Sequence, residues 1–478
     1  MKQCSNDGLR DETSSMTHTL IDTDTIVAIS TPPGRGGIGV VRLSGAESLR
    51  IADAMLRLRS ALEAGRARFG ELVDTSGERI DEVVTTYFAA PHSYTSEDVV
   101  EIAAHGSPVV LEWIVRRAAD LGARPARPGE FTERAFLSGR IDLTGAEAVR
   151  DLIDAQTVEQ ARVAAQQIGG ALAAQVRPVK QQMVELIAVL EAGIDFAEDD
   201  IDVMPQVEIG RRIDALLPPL RTLLASFGYG RVLREGLRLA IVGRPNAGKS
   251  SLFNQLVERE RAIVTAVAGT TRDVVTERLS LSGIPVELMD TAGLREAADE
   301  VEQIGIAKSH EAMADADVVL LVMDASTEMS AEEKAWLQAL AGRHVIVVRN
   351  KIDLARMDKD LSAVANGEAF RVVATSALTG EGIPELRASL LEMVRGGAST
   401  GAASGAIAGV LTNLRQQQAV DRAVEALDRA RKAVEGKTPH EMLLLDIYEA
   451  LRGLDELTGE TTADDVLNLI FSTFCIGK

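Results

Sequence analysis

One glycine-rich segment, Gly243 to Ser250, most constrains what this chain can fold into. Its sequence, GRPNAGKS, matches the pattern G-x-x-x-x-G-K-[ST], follows the apolar run LRLAIVG and precedes a helix-length segment. In such a unit the glycines let successive backbone N–H groups and a helix N-terminus face a phosphate. Lys249 then reaches the β- and γ-phosphate oxygens, and the Ser250 hydroxyl is placed to ligate Mg²⁺. The segment therefore predicts a nucleotide-binding strand, loop and helix.

Three further motifs follow in order and indicate which nucleotide is bound. Asp290-Thr291-Ala292-Gly293 follows the run VELMD, where a carboxylate can hold Mg²⁺ through water and a glycine N–H can contact the γ-phosphate. In Asn350-Lys351-Ile352-Asp353, the Asp353 carboxylate can accept both guanine N–H donors, a pair that adenine lacks. Ser376-Ala377-Leu378 offers a backbone N–H to the guanine oxygen. Together the four motifs predict a GTPase.

The residue after the D-x-x-G motif is leucine, where Ras-like GTPases carry the glutamine that orients the attacking water. Another group must therefore orient the attacking water or supply positive charge during hydrolysis. Asn246 could ligate a monovalent cation that replaces an arginine finger, with carbonyls of the loop 265–271 completing the site. Glu302 could orient water through an intermediary, although an isolated glutamate is more often an exposed helix residue. Arg272 and Arg295 are alternative sources of positive charge, and the residues alone leave these alternatives open.

Composition and charge exclude several other classes of protein. Asp and Glu number 71 against 51 Lys and Arg, and the formal net charge of −20 argues against broad, non-specific binding to polyanions such as DNA, while leaving room for a local basic face. Two cysteines at opposite ends of the chain give no disulfide framework and fit a reducing cytosol. The longest aliphatic runs are far shorter than the ~20 residues that a membrane helix needs, and no signal peptide is visible. We expect a soluble cytoplasmic protein without stable membrane insertion.

The hydrophobic periodicity changes along the chain and predicts a multidomain α/β and all-α protein. Helical patterns on both sides of a strand-rich module predict one helical domain interrupted by an inserted domain. The expected parts are a flexible tail (1–17), an N-terminal α/β or α+β domain (18–140), a helical domain (141–234 plus 410–478), an inserted Ras-like parallel-sheet GTPase domain (235–395) and a linker (396–409).

Two local features each leave two interpretations. Residues 116–140 carry six arginines, which could form a solvated face or contact a phosphate- or carboxylate-bearing partner. The chain ends in FCIGK, where Cys475 is either an ordinary tail residue or a reactive thiol near Lys478.

These segments together resemble the MnmE (TrmE) family of tRNA-modification GTPases, within the TRAFAC class. The resemblance covers about residues 24–478 and rests on DTIVAISTPPGRGGIGVVRLSG, RPGEFTERAFLSGRIDLTGAEAVRDLIDA, GRPNAGKSSLFN, AGTTRD, DTAGLRE and CIGK. It implies an N-terminal domain that binds 5-formyl- or methylene-tetrahydrofolate and forms a homodimer, a helical domain, and an inserted GTPase domain. Such proteins work with the FAD-dependent partner MnmG (GidA) to install an aminomethyl or carboxymethylaminomethyl group at C5 of the wobble uridine of certain tRNAs.

The resemblance also implies roles for individual residues. Hydrolysis is K⁺-activated in the family, with Mg²⁺ ligands at Ser250 and Thr271, K⁺ ligands at Asn246, Thr265, Val267 and Thr270, and Glu302 arranging the water. Cys475 is implied in the chemistry, and the folate contacts are Arg42, Glu101, Arg140 and Lys478. The GTP contacts are Asn246, Ala247, Gly248, Lys249, Ser250, Ser251, Thr265, Ala266, Val267, Ala268, Gly269, Thr270, Thr271, Asp290, Thr291, Ala292, Gly293, Asn350, Lys351, Asp353, Ser376, Ala377 and Leu378.

Three positions depart from the family pattern. Arg140 stands where lysine is usual, so a planar guanidinium with several N–H donors replaces a compact ammonium group. Ser96 and Ser107 stand where glycines are common, and either serine could alter a local turn.

Two rival functions share these motifs. One is a regulatory GTPase switch without group transfer, which the CIGK end and the PPGRGG segment disfavour. The other is a folate-dependent aminomethyltransferase acting on proteins or small molecules, with the GTPase as its regulator. The charge of −20 further predicts that much of any tRNA-binding surface belongs to the partner.

Overall fold

A computed structural model describes residues 24–195, 204–257, 277–289, 315–354, 364–365, 368–395, 409–436, 438–461 and 464–477. These residues form two compact units. Unit 1 lies within residues 1–142 and 462–478, and unit 2 lies within residues 143–461.

Unit 1 is built on a seven-stranded sheet with the order β3-β4-β5-β6-β2-β1-β7. Neighbouring strands are antiparallel except β1 and β7, so the fold of this unit is α+β, one of the two classes expected. The elements are β1 (Ile26–Ile29), β2 (Gly36–Ser44), α1 (Ser48–Asp53), β3 (Leu56–Leu58), β4 (Ala67–Val73), β5 (Arg79–Phe88), β6 (Val99–Gly106), α2 (Pro108–Asp120), β7 (Arg124–Pro125), α3 (Glu130–Leu137) and the C-terminal helix Asp464–Ser472.

Alternation along β2 gives the sheet of unit 1 two different faces. Val41 and Leu43 are fully buried in a core with Ile102 and Ile114, so one face is covered by α2. Arg42 lies between them in sequence and faces the opposite side, where its guanidinium stacks over aromatic rings. The same alternation therefore produces a core and a polar-aromatic face.

Most arginines of the cluster 116–140 form hydrogen bonds or ion pairs with other residues of unit 1. Arg134, only 5% exposed, donates to Asp24 at 2.7 Å and to Glu130 at 3.1 Å, and Arg124 donates to Glu130 at 2.6 Å. Burial raises the pKa of the Glu130 carboxyl, but the hydrogen bonds from Arg124, the Arg127 backbone N–H and Arg134 outweigh it and hold that pKa below its usual value. These two arginines are structural ion-pair partners, which neither interpretation from the sequence foresaw.

Unit 2 contains long helices from before and after the strand-rich module. They are α4 (Leu143–Asp154), α5 (Val158–Ile168), α6 (Ala171–Asp195), α7 (Gln206–Ala225), α8 (Phe227–Glu235) and, later in the chain, α12 (Leu414–Glu435) and α13 (His440–Thr458). Leu186 and Leu220 from the first set share one buried core with Leu427 and Leu454 from the second. The two helical stretches therefore pack around one core as a single helical bundle, here called the helical module.

The intervening module is a six-stranded sheet with the order β15-β12-β11-β8-β10-β9, parallel except at β9. A parallel sheet with crossover helices was expected from the sequence and is confirmed. Here called the GTPase module, it contains β8 (Leu237–Val242), α9 (Lys249–Val257), β9 (Glu277–Leu281), β10 (Ile284–Met289), β11 (Val318–Asp324), α10 (Ala331–Ala339), β12 (Val345–Asn350), β15 (Arg371–Ala374) and α11 (Ile383–Arg395), with the short pair β13 (Val364–Ala365) and β14 (Glu368–Ala369) beside it.

Ser96 has a backbone conformation that is typical of glycine. Its φ is +64°, in the left-handed region that disfavours a side chain, whereas Ser107 has φ −90°. Ser96 lies between Thr95 and Glu97, which both contact the Ser44 hydroxyl at 2.6 Å. The buried polar contacts on either side of Ser96 therefore hold it in an unfavourable conformation.

We expect Ser96→Gly to stabilise unit 1. Removing the strain of the left-handed backbone stabilises the folded state by more free energy than the extra conformational entropy of glycine costs. The thermal midpoint should therefore rise by ~1–2 °C. The matched control is Ser107→Gly, which carries the entropy cost without the relief and should lower the midpoint slightly. Circular dichroism melts of both variants measure this, and a midpoint for Ser96→Gly at or below wild type would contradict it.

Candidate functional site

The phosphate loop requires glycine at both ends. Gly243 has φ +156°, and a Cβ there would lie 2.2 Å from the Val322 carbonyl oxygen. Gly248 has φ +92°, and a Cβ there would lie 2.1 Å from Asn350 Nδ2. Asn246 is exposed with φ +64°, a conformation that asparagine tolerates better than most residues. The backbone thus passes close to two neighbouring strand ends, which explains why the motif needs these residue types.

Lys249 begins α9 and turns back over the loop. Its Nζ donates to the carbonyl oxygens of Gly243 at 2.7 Å and Arg244 at 2.9 Å. Burial lowers the pKa of the Lys249 amine. Within the described residues the ammonium is a partly desolvated charge that contacts two carbonyl oxygens, and an anionic phosphate is a ligand of complementary charge.

Asn350 joins the phosphate loop to the end of β15. Its side chain is 1% exposed, and its Nδ2 donates to the Ala247 carbonyl at 3.0 Å. Its Oδ1 accepts hydrogen bonds from the Ala377 backbone N–H at 3.0 Å and from the Thr375 hydroxyl at 3.3 Å. One buried amide therefore aligns two of the predicted nucleotide-binding motifs.

The residues predicted to select guanine lie together beyond β12. Ser376 Oγ donates to Asp353 Oδ1 at 2.6 Å, which orients the carboxylate. Leu378 is 82% exposed, on the turn that follows Ala377. The described structure thus brings together Asn246, Ala247, Gly248, Lys249, Ser250, Ser251, Asn350, Lys351, Asp353, Ser376, Ala377 and Leu378 at the carboxyl ends of the parallel strands.

Asp324 is a residue of this site that the sequence reasoning missed. It ends β11, accepts a hydrogen bond from Lys351 Nζ at 2.7 Å, and also accepts from the Ser326 backbone N–H and hydroxyl. Burial raises the pKa of Asp324, but Lys351 and Ser326 outweigh it and hold the pKa below the usual value. The signal available was its place at the end of the apolar run VVLLVMD.

Several predicted residues lie outside the described residues. These are Thr265, Ala266, Val267, Ala268, Gly269, Thr270, Thr271, Arg272, Asp290, Thr291, Ala292, Gly293, Arg295, Glu302 and Lys478. Their predicted roles stay predictions.

A second polar site lies in unit 1 around Tyr94. Arg42 donates to Glu101 Oε1 through Nε at 2.9 Å and Nη2 at 2.7 Å, and its guanidinium carbon lies 5.3 Å from the centre of the Tyr94 ring. Arg140 donates to the Tyr94 carbonyl at 2.6 Å and lies 5.2 Å from the same ring centre. A cavity of about 490 Å³ opens here, lined in part by Tyr94, Glu101 and Arg140. Three of the four predicted folate contacts therefore converge on Tyr94, which the sequence reasoning missed.

The C-terminal tail is held against the same unit. Phe471 packs 6.4 Å from Phe136, measured between ring centres, and a Cβ at Gly129 would lie 2.7 Å from the Phe471 carbonyl oxygen. The Gly129 N–H donates to the Cys475 carbonyl at 3.4 Å, and Ser30 Oγ donates to the Gly477 carbonyl at 3.2 Å. Cys475 is exposed on an anchored tail.

Together the parallel sheet, the phosphate loop and the residues predicted to select guanine are typical of a GTP-binding module of the GTPase class. Among the described residues, no helix is long and apolar enough to cross a membrane. That part of the chain also contains no group of three or more His, Cys, Asp or Glu residues that could hold a metal ion by themselves.

Comparisons with known proteins identify the family. The family model "GTP-binding protein TrmE N-terminus" matches residues 25–140, and the model "MnmE helical domain" matches residues 143–475. Proteins named "tRNA modification GTPase MnmE" are similar over 95% of this chain and 99% of their own length. The relative from Koribacter versatilis is 60% identical over 460 residues, and that from Aquifex aeolicus is 43% identical over 457 residues. This chain belongs to the MnmE (TrmE) family of tRNA modification GTPases, as the resemblance predicted.

Membership confirms the predicted fold class, a GTPase activity and a role in tRNA modification. GTP and Mg²⁺ follow from the GTPase family. tRNA follows as the substrate.

We expect Asp324→Asn to weaken nucleotide binding through Lys351. Loss of one partly buried ion pair, worth ~1 kcal/mol, should raise the Kd for a fluorescent GDP analogue by about fivefold. Stopped-flow or equilibrium fluorescence titration measures this. Glu385→Gln, an exposed change of equal charge on α11, is the control and should bind like wild type. An unchanged Kd for Asp324→Asn would show that the Lys351 pair does not support the nucleotide site.

Proposed function

We propose that this protein is a K⁺-activated GTPase that acts with the FAD-dependent partner MnmG. Together they install an aminomethyl or carboxymethylaminomethyl group at C5 of the wobble uridine of certain tRNAs, with folate as the one-carbon donor. The observation that carries the proposal is the presence in one chain of two sites. One is the guanine-nucleotide site, and the other is the Arg42–Tyr94–Arg140 cavity in the unit that holds the Cys475 tail.

Cation activation is supported by the position of Asn246. Its exposed side chain lies on the loop that precedes Lys249, where a monovalent cation would add positive charge beside the phosphates. In the proposal Mg²⁺ would be held by Ser250 and Thr271, and Glu302 would arrange the attacking water. The K⁺ ligands would be Asn246, Thr265, Val267 and Thr270, of which Asn246 is the one within the described residues.

The Tyr94 cavity fits a folate in three respects. Arg42 lies behind the cavity wall, where its two hydrogen bonds orient the Glu101 carboxylate towards a ligand. Glu101 supplies an acceptor for the N–H groups of a pterin-like ring, and Tyr94 lies beside it in the cavity lining. Arg140 and Lys478 would pair with ligand carboxylates. When bound, the folate would supply the one-carbon unit, and the Cys475 thiol would act beside it.

Partners and compartment complete the proposal. With a net charge of −20, we infer that MnmG supplies much of the tRNA-binding surface. Unit 1 would form the homodimer contact, and the complex would work in the cytoplasm, where its tRNA substrates are. The domain boundaries expected from the sequence are part of the same proposal.

Mass spectrometry of nucleosides from bulk tRNA tests this function. A deletion strain should lose the 5-aminomethyl-type wobble uridines, and wild-type protein should restore them. Cys475→Ser protein in the same strain tells whether the thiol is needed. Purified protein should hydrolyse GTP faster in KCl than in NaCl, and Asn246→Ala should lose that difference. Unchanged nucleosides on deletion would instead favour the regulatory GTPase switch.

We expect Arg42→Lys to lower the affinity for 5-formyl-tetrahydrofolate by at least ~tenfold, because a lysine cannot stack on Tyr94 while reaching Glu101. Arg140→Lys keeps the charge and matches the usual family residue, so its affinity should stay within about threefold of wild type. Isothermal titration calorimetry measures both. Arg116→Lys on α2 is the control, and equal affinities for Arg42→Lys and wild type would remove Arg42 from the site.

A further inference from the structure

Helix α13 exposes apolar side chains to solvent although its opposite face already lies in the core of the helical module. Residues 442–445 are four consecutive apolar residues, which together cover a full helical turn. Leu443 and Leu444 are buried, whereas Met442 is 55% exposed and Leu445 is 63% exposed. A helix that only supports the core carries polar residues on its outer face, so these two positions call for another explanation.

Tyr448 continues the same exposed face one turn further along α13. Its side chain is exposed, and its hydroxyl donates to the Glu191 carboxylate of α6. Met442, Leu445 and Tyr448 follow one another at intervals of three residues, so they form one stripe on the solvent side of the helix. Because the hydrogen bond to Glu191 holds the tyrosine in place, a ligand that packs on the ring loses less conformational entropy.

Helix α6 supplies the other half of this surface. Lys180 Nζ lies 2.6 Å from an Asp455 carboxylate oxygen of α13, and Glu191 contacts α13 near the other end of α6. Val184 is exposed and lies between these two contacts, four residues after Lys180 and so on the same side of the helix. The apolar residues that share this surface, here called the α6–α13 surface, are Val184, Ala188, Met442, Leu445 and Tyr448.

Carboxylates surround the α6–α13 surface. Within residues 184–191 and 441–452 the acidic side chains are Glu185, Glu191, Glu441, Asp446 and Glu449. Arg452 is the only basic residue of those two ranges, and Arg429 of α12 pairs with Asp446 and Glu449. The exposed apolar side chains therefore lie inside a rim of net negative charge.

This charge decides between possible occupants. RNA is a polyanion and is repelled by such a rim. If two copies of the chain met through this surface across a two-fold axis, each copy would place its own negative rim against the other. A protein segment with apolar residues flanked by Lys or Arg gains both apolar burial and electrostatic attraction. A surface formed by two packed helices suits an amphipathic helix.

We propose that the α6–α13 surface docks a basic amphipathic helix of the flavoprotein partner. The apolar face of that helix covers Leu445 and Tyr448, and its Lys or Arg side chains lie beside Glu191 and Glu441. The inference rests on the partnership with MnmG in the proposed function, and it adds which surface of this chain the partner contacts.

Biolayer interferometry with immobilised full-length protein and purified FAD-loaded MnmG tests the docking. Leu445→Glu and Val184→Glu should each raise the Kd by at least ~tenfold, because each places a charge within the apolar contact. Val207→Glu makes the same change at an exposed apolar position of α7 and should stay within about threefold of wild type. Intrinsic GTP hydrolysis and the thermal midpoint should match wild type in all three variants, because the replaced side chains are exposed.

The contribution of the acidic rim is measured separately. Glu441→Gln removes one exposed carboxylate, so the Kd should rise about threefold at about 50 mM salt and match wild type at about 500 mM salt. Glu425→Gln, the same change on the exposed face of α12, is the control and should leave the Kd unchanged at both salt concentrations.

The outcomes separate this inference from the proposed function. If wild type does not bind MnmG, the partnership itself is wrong. If wild type binds while Leu445→Glu and Val184→Glu keep its Kd, the partnership stands and the docking surface is wrong. A changed sedimentation coefficient of either variant by itself would show a contact between copies of this chain, and a loss of tRNA binding without MnmG would show an RNA surface. Either of these last two results would also overturn the proposal.

Discussion

The buried carboxylate of Glu147 joins the parts of the helical module that come before and after the GTPase module. It accepts hydrogen bonds from Arg415 at 2.7 and 2.9 Å and from Gln416 at 2.8 Å, which brings α4 against the start of α12. Burial raises the pKa of Glu147, but the Arg415 and Gln416 contacts outweigh it and hold that pKa below its usual value. Removing one partner of such a pair typically costs ~3–5 kcal/mol, because the other charge stays buried.

This contact between α4 and α12 determines how the GTPase module is attached to the helical module. Arg415 also donates to the carbonyls of Glu456 and Leu457 at the end of α13, so three helices meet at one guanidinium. Thr412 lies just before α12 and lines the same cavity as Asp151 and Gln160. Gln160 of α5 hydrogen-bonds to the Leu233 carbonyl before the GTPase module, and Gln167 hydrogen-bonds to the Val410 carbonyl after it. One short helix therefore contacts the chain where it enters and where it leaves the GTPase module.

The motifs of the nucleotide site were readable from the sequence because each has a fixed local spacing. Gly243 and Lys249 are six positions apart in any protein that wraps a phosphate this way, and a short-range pattern carries that geometry. Tyr94 was not readable, because its role depends on Arg140, a residue distant in the chain. The place of Asp324 at the end of an apolar run was a signal, but its pairing with Lys351 was not visible in the sequence. The backbone of Ser96 was also hidden, since its positive φ is imposed by the neighbouring contacts of Thr95 and Glu97.

The sequence by itself determined the parallel sheet, the nucleotide class and the family, because periodicity and motif spacing are local properties of the chain. Tertiary structure alone decided that Arg124 and Arg134 are structural partners of Glu130. From the sequence, their charges were also compatible with a surface that binds a partner. Tertiary structure alone also decided that Gln160 and Gln167 of α5 hydrogen-bond to Leu233 and Val410 on either side of the GTPase module, although the sequence of α5 continues a helical region. The physical reason is the same in each case: pairing and packing depend on which distant groups share a desolvated space, and no local pattern records that.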